Sequence, residues 1–349
     1  MTSQTPNDED QRHHDRRNDN TMLWIILSLV LLLVGGAFYM TDMPGNSHSG
    51  ALPPLTADEI SLRVHLERHV TVLAGTVGER NIWRHDALEM AAGYIEETLR
   101  ELDYPVAEQA YTAEGKTVRN LETEITGTRL PDEIILIGAH YDTVVGSPGA
   151  NDNASGVAAL LEIARLLAGK NLVRTVRFVA FVNEEPPFFY LQEMGSRIYA
   201  RRARERGDNI VAMLALETIG YYVDARRSQH YPFPFYSLVY PDTGNYIAFI
   251  GNLSSRALVR QSLGSFRRHT AFPSEGIAAP GWMRGIHWSD HWSFWQQGYP
   301  ALMVTDTALF RYPHYHANSD TPDKIDYPRL ARVVAGLARV TMDLANKES

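Results

Sequence analysis

Four short, largely apolar runs, at 134–139, 175–182, 210–216 and 301–305, constrain the fold more than anything else in this chain. Each lacks the apolar–polar alternation of a strand with one wet face, and each is short for a helix. Continuous apolar strands belong in a sheet that is covered on both sides. Helices at 156–168 and 194–206 lie between them, and strand, helix, strand in that order predicts a three-layer α/β domain with a mostly parallel, mixed sheet. Upstream, Thr56-Ala-Asp-Glu is a capping-box signal that predicts a helix to about residue 73, with a second helix over 86–102. The stretches 104–110 and 117–126 alternate as half-buried strands do.

Residues 22–40 form an almost uninterrupted apolar run, long enough to cross a bilayer, which takes about 20 helical residues. Arg12, Arg16 and Arg17 precede it and Asp42 follows, so the N-terminus is expected in the cytoplasm and everything after residue 40 outside, in the periplasm or extracellular space. The run ends in Phe38, Tyr39 and Met40 rather than in the small residues of a cleavage site, which favours an anchor over a signal peptide. The expected organisation is a disordered tail (1–21), a transmembrane anchor (22–40), a linker rich in Gly, Ser and Pro (41–54) and one folded domain (55–349). The net charge of -8 offers no basic patch for a phosphate backbone and argues against nucleic acid as a partner. With no cysteine in the chain, disulfides and thiolate ligands are excluded, so any metal must be held by N and O donors.

Such donors stand at the run ends. His140 follows the first run, Glu184 and Glu185 the second and Glu217 the third; Asp152 lies in the loop before the next helix, and His316 in the loop after the last run. Ligands of open α/β sheets bind beyond the carboxyl ends of the strands. Taken singly, each residue has a structural reading: a hydrogen-bonded histidine, an Asx turn former, a solvated glutamate pair. Two adjacent carboxylates after an apolar strand are nevertheless costly to bury without cations or partners. His314 competes with His316, two residues away. The five arginines between Arg197 and Arg206 read as a solvated helix face, and 231–240, with its Pro and aromatic residues, as an ordered surface loop near the same edge.

The stretches Gly138-Ala-His-Tyr-Asp-Thr, Gly149-Ala-Asn-Asp-Asn-Ala-Ser-Gly-Val, Phe178-Val-Ala-Phe-Val-Asn-Glu-Glu, Ser289-Asp-His and Tyr315-His-Ala-Asn-Ser-Asp-Thr-Pro-Asp-Lys together resemble the zinc-dependent exopeptidases that include the co-catalytic di-zinc aminopeptidases and the glutamate carboxypeptidases. The resemblance covers about 87–345. It implies a peptidase domain with two zinc ions, one on His140 and Glu217, the other on Glu185 and His316, with Asp152 bridging. It further implies that Glu184 is the general base, Asp142 a partner of the His140 N–H, and Asp290 and His291 supports behind the site. Peptides with a free N-terminus are the implied substrates.

Three departures stand out. Glu217 occupies a place where the family more often has Asp. The bulky insertion at 186–192 follows the paired glutamates, where it either lines a pocket or packs as a lid. Ile286 replaces a tyrosine that assists the oxyanion in some members, with His287 as a substitute. Two further readings stay open: a glutaminyl cyclase with a single zinc, and a non-catalytic binding protein anchored to the membrane.

Overall fold

The computed structural model describes residues 8–347, so the first seven residues of the expected tail lie outside the described residues. The chain divides after Asp42. The N-terminal unit is one helix, α1 (Asp8–Thr41), and Trp24–Thr41 within it is long and apolar enough to cross a membrane. Positions 8–21, expected to be disordered, are helical. Once the apolar segment has nucleated a helix, each polar residue added to its end gains a hydrogen bond at the cost of ordering one residue.

The second unit starts at Met43. Its helices are α2 (Ala57–Val70), α3 (His85–Glu101), α4 (Gly156–Leu167), α5 (Gly195–Arg206), α6 (Arg256–His269), α7 (His291–Trp295) and α8 (Tyr327–Asn346). The strands are β1 (Ala107–Ala113), β2 (Lys116–Ile125), β3 (Leu130–His140), β4 (Arg174–Phe181), β5 (Asn209–Glu217), β6 (Ile247–Asn252), β7 (Ser274–Ala279) and β8 (Ala301–Thr305). They form one sheet in the order β1-β2-β4-β3-β5-β8-β6-β7. The central β4, β3, β5 and β8 are parallel; β1, β2 and β6 join antiparallel to their inner neighbours, and β7 runs parallel to β6. The mixed three-layer architecture expected from the sequence is the one observed.

The reason is visible along β3. Ile135, Ile137 and Ala139 enter the core shared with α2, α4 and α8, while Ile134 and Leu136 enter a second core against Tyr199, Ala200 and Phe294. A strand buried on both faces has no polar side to show. Helix α2 starts as anticipated: the Thr56 hydroxyl accepts the Glu59 N–H (3.2 Å), and the Glu59 carboxylate accepts the Thr56 N–H (2.7 Å). Of the expected linker, the part from Met43 onward is docked. Arg267 donates to the carbonyls of Pro44 and Gly45, and the Ser274 N–H donates to Ser47 Oγ.

Helices α6 and α8 and strands β6 and β7 went unanticipated. α8 carried a readable start, with Asp326 accepting the Arg329 N–H and Pro328 in the first turn. β7, Ser-Glu-Gly-Ile-Ala-Ala, has neither alternation nor a continuous apolar run and owes its strand form to pairing with β6.

Candidate metal centre

Because β3, β4, β5 and β8 are parallel, their carboxyl ends share one edge, and the donors collect there. Among the described residues, two groups of side chains bring one ligand atom each to within 4.8 Å of one another: His140, Asp152 and Glu217, and Asp152, Glu185 and His316. Asp152 belongs to both. His140 Nε2 lies 3.4 Å from Asp152 Oδ1 and 3.3 Å from Glu217 Oε2. On the other side, His316 Nε2 lies 3.1 Å from Asp152 Oδ2 and 3.3 Å from Glu185 Oε2. Glu184 belongs to neither group, although its Oε2 is 4.0 Å from His140 Nε2.

Local backbone form aims these groups. Asn183, Thr218 and His316 all have positive φ (58°, 45° and 56°) in the loops that carry Glu184 and Glu185, Glu217 and His316. Such conformations cost a non-glycine residue of order 1–3 kcal/mol and persist where surrounding structure imposes them. In the Asp152 loop, Gly149 has φ +64°, and a Cβ there would sit 2.4 Å from the Asp152 carbonyl oxygen.

Three clamps hold the loops together. The Asp142 carboxylate accepts the backbone N–H groups of Glu184 (3.0 Å) and Glu185 (3.1 Å), and His140 Nδ1 meets the Asp142 carbonyl oxygen at 3.2 Å. Asp142 Oδ1 is 3.6 Å from that nitrogen, so both the backbone carbonyl and the carboxylate of Asp142 face the His140 ring, the carbonyl at the shorter distance. Asp320 accepts the N–H groups of Asn151 (2.8 Å) and Asp152 (3.1 Å), tying the His316 loop to the Asp152 loop. Arg80, fully buried, donates to the carbonyls of Tyr141, Leu73, Gly78, Pro148 and Gly149.

The electrostatics of the cluster fit a cation. Burial, and then the charge of Asp152, push Glu185 up to about 7. Burial also raises Glu184 well above the usual carboxylate range, and the neighbouring Glu217 and Glu185 add to it. His316 is pushed up to about 10: burial opposes the shift, but contacts with Asp152 and Glu185 prevail. His140 Nε2, Asp152 Oδ2 and Glu185 Oε1 are buried with no hydrogen-bond partner among the described residues. Orphaned, converging N and O donors with excess negative charge are what a borderline divalent cation satisfies.

The remaining expected residues divide. His314 turns away and meets Ser319 Oγ at 2.9 Å; the segment is a series of turns, so the strand alternation that would point both imidazoles the same way does not apply. Asp290 is buried near the site and raised to about 7 by burial. His291, lowered to about 4 by burial, contacts the Ile286 carbonyl oxygen (2.8 Å) and holds that loop instead of the donors. Ser289, to which the sequence assigns no role, donates its hydroxyl to Glu217 Oε2 at 2.8 Å. Arg80 was missed entirely, and a lone arginine between two helices gives no local sign of burial.

Beside Glu217 opens a cleft of about 840 Å³ including its mouth, walled by Tyr231, Tyr236, Tyr246, Trp288, Phe310 and Tyr315 among others. Ile286 lines it, whereas no residue of the 186–192 insertion does. The insertion packs instead: Phe188 stacks on Trp83, the Tyr190 ring meets Trp292 at a tilt, and the Tyr190 hydroxyl bonds His287.

The model of peptidase family M28 matches residues 120–341. The Escherichia coli K12 protein YfbL is 39% identical over 280 residues, covering 78% of this chain and 85% of YfbL. A probable zinc metalloprotease of Pyricularia oryzae is 24% identical over 287 residues, and the chain spans about half (53%) of its length. Among solved structures, a zinc aminopeptidase from Bacillus subtilis superposes with a TM-score of 0.66 at 15% identity, over 82% of this chain and 96% of that one. A glutaminyl cyclase from Fimbriiglobus ruber reaches 0.60 at 20% identity, over 84% and 97%, and at such identities both show the fold alone. On the family match, the chain belongs to peptidase family M28 and is a metallopeptidase.

Proposed function

We propose that the chain is a di-zinc aminopeptidase held in a membrane by α1, with its N-terminus in the cytoplasm and its catalytic domain outside. His140 and Glu217 would hold one ion, Glu185 and His316 the other, and Asp152 both. Zinc bound there supplies Lewis acidity and brings the pKa of water near neutrality. Asp142 keeps Glu184 and Glu185 in place through their backbone, and Ser289 orients Glu217. Glu184 takes the proton of the attacking water and passes it to the departing amine. The cleft beside Glu217 receives an apolar N-terminal side chain.

The observation that carries this reading is the division of labour among the carboxylates: three enter the two donor groups, while Glu184 stands beside His140, buried and outside either group. The intact group of His140, Asp152 and Glu217 also weighs against a single-zinc cyclase. The test is a panel of aminoacyl 4-nitroanilides assayed on the full chain in detergent, with and without a chelator. Cleavage of leucyl and phenylalanyl substrates, lost on chelation and on N-acetylation of the substrate, is the expected result. Cleavage that survives N-acetylation would overturn aminopeptidase action, and conversion of glutaminyl peptides to pyroglutamyl products would favour the cyclase.

A further inference from the structure

We infer that the loop 231–240 docks on the lipid surface of the bilayer, beside the point where the chain leaves the membrane, and so brings the cleft it walls to the interface; this rests on α1 being a membrane anchor. The loop reads Tyr-Pro-Phe-Pro-Phe-Tyr-Ser-Leu-Val-Tyr, with no charged residue and five aromatics. Its tips are uncovered: Leu238 is 86% exposed, Val239 52% and Phe235 42%. Isolated apolar side chains are ordinary on a surface, but three within five residues of an uncharged segment mark a contact with something apolar.

The base of the loop is fixed while its tips protrude. The Tyr231 hydroxyl donates to the Pro241 carbonyl oxygen (2.6 Å), and the Tyr240 hydroxyl to that of Gly276 on β7 (2.8 Å). Phe233 stacks on Phe235, and Pro234–Leu238 form a tight helical turn. A loop held in this way presents its side chains with little entropy left to lose.

Its position supplies the partner. Gly276, which the loop grips through Tyr240, is also where the domain first takes hold of the chain: a Cβ on Gly276 would lie 3.2 Å from Met43 Cγ. Met43 follows the end of α1, at Thr41, by two residues. Two residues reach at most about 7 Å whatever direction they take. With α1 in a bilayer, the membrane surface therefore lies close to Gly276 and to the aromatic loop beside it. Tyrosine and aromatic residues are favoured at that depth, where an apolar ring and a polar tip are both accommodated. Tyr231, Pro232, Tyr236 and Tyr240 of the same loop line the cleft.

The chain has no cysteine, so single labels are unambiguous. The full chain, at one copy per nanodisc of phosphatidylcholine and phosphatidylglycerol, would carry an environment-sensitive fluorophore at Leu238→Cys, at Leu31→Cys in α1, or at the exposed Lys170→Cys, with lipids bearing a nitroxide quencher. Quenching by at least twofold at positions 238 and 31, with none at 170, is the expected result, and single occupancy excludes a second copy as the cover. Quenching at 31 without 238 would overturn the docking while leaving the anchor intact. Absence at both would overturn the anchor and the docking with it, and equal quenching at 170 would overturn a contact specific to this loop.

Discussion

The donor edge and the aromatic cleft adjoin at Glu217, yet they are built on opposite physical principles. At the donor edge, charged groups are buried in excess, and buried hydrogen bonds accepted by Asp142 and Asp320 and donated by Ser289 and Arg80 hold the loops at 2.6–3.0 Å. In the cleft the walls are rings from 231–246, 288 and 310–315, with few polar groups. One region requires exact placement because a cation and a proton must meet fixed atoms. The other requires volume and apolar surface, which many side chains provide. Substitutions at the donor edge should therefore act on turnover, metal and stability, and those in the cleft on substrate choice alone.

The largest break is expected from Glu184→Gln. Loss of the proton carrier should lower kcat by about 10²–10⁴-fold, while elemental analysis finds the zinc content unchanged; a variant that turns over at the normal rate would remove Glu184 from the chemistry. Next comes Arg80→Met, which removes the donor to the carbonyls of Tyr141, Gly78 and Pro148 and one of two donors to those of Leu73 and Gly149. Unsatisfied buried acceptors cost about 1–3 kcal/mol each before relaxation, so a stability loss of at least about 3 kcal/mol should appear in denaturant unfolding. A loss under 1 kcal/mol would mean that these loops hold without the clamp.

The third effect concerns pH. Glu185 and Asp290 are raised to about 7 in the fold, from ordinary values of 4.5 and 3.8. The folded state thus binds more protons than the unfolded chain between about pH 4 and 7, and its stability falls as pH rises through that window. His316, raised to about 10, adds stability below 6.5 that is lost as pH climbs toward 10, which is the same direction. Asp152 is lowered despite its burial, by contacts with His140 and His316, and acts only at lower pH. The Tm of chelator-treated protein should therefore drop more steeply from pH 5 to pH 8 than that of zinc-loaded protein, and parallel profiles would refute the cation's role in relieving the buried charge. The smallest effect is expected in the cleft. Ile250→Trp narrows it and should raise KM for phenylalanyl substrates by about tenfold, a cost of about 1.4 kcal/mol, with alanyl substrates unaffected. Equal losses for both would mean that the cleft does not receive the N-terminal side chain.

The contrast also explains which parts could be read in advance. His140, Glu184, Glu185 and Glu217 stood out because each ends or closely follows an apolar strand, whose end a parallel sheet delivers to one edge, and Asp152 and His316 because they lie in the polar loops that continue from such ends. Asp320 and Ser289 lie within the motif stretches, but their tasks depend on backbone N–H groups and a carboxylate far away in sequence. The 186–192 insertion, expected either to line a pocket or to pack as a lid, packs on Trp83 and Trp292 because its rings find apolar surface there.

What the sequence by itself determined is the local part: strands apolar enough to be buried on both faces, donors at their ends, a helix apolar enough for a bilayer and the absence of thiol chemistry. These depend on periodicity and composition over ten or twenty residues, which chain order preserves. Only the tertiary structure decided that Arg80 lies buried among five carbonyls, that Asp320 and Ser289 hold the donor loops, and that 231–240 walls the cleft. Those outcomes depend on contacts between segments tens to hundreds of residues apart, where the deciding energies are burial and hydrogen bonding between surfaces that meet only once the sheet has formed.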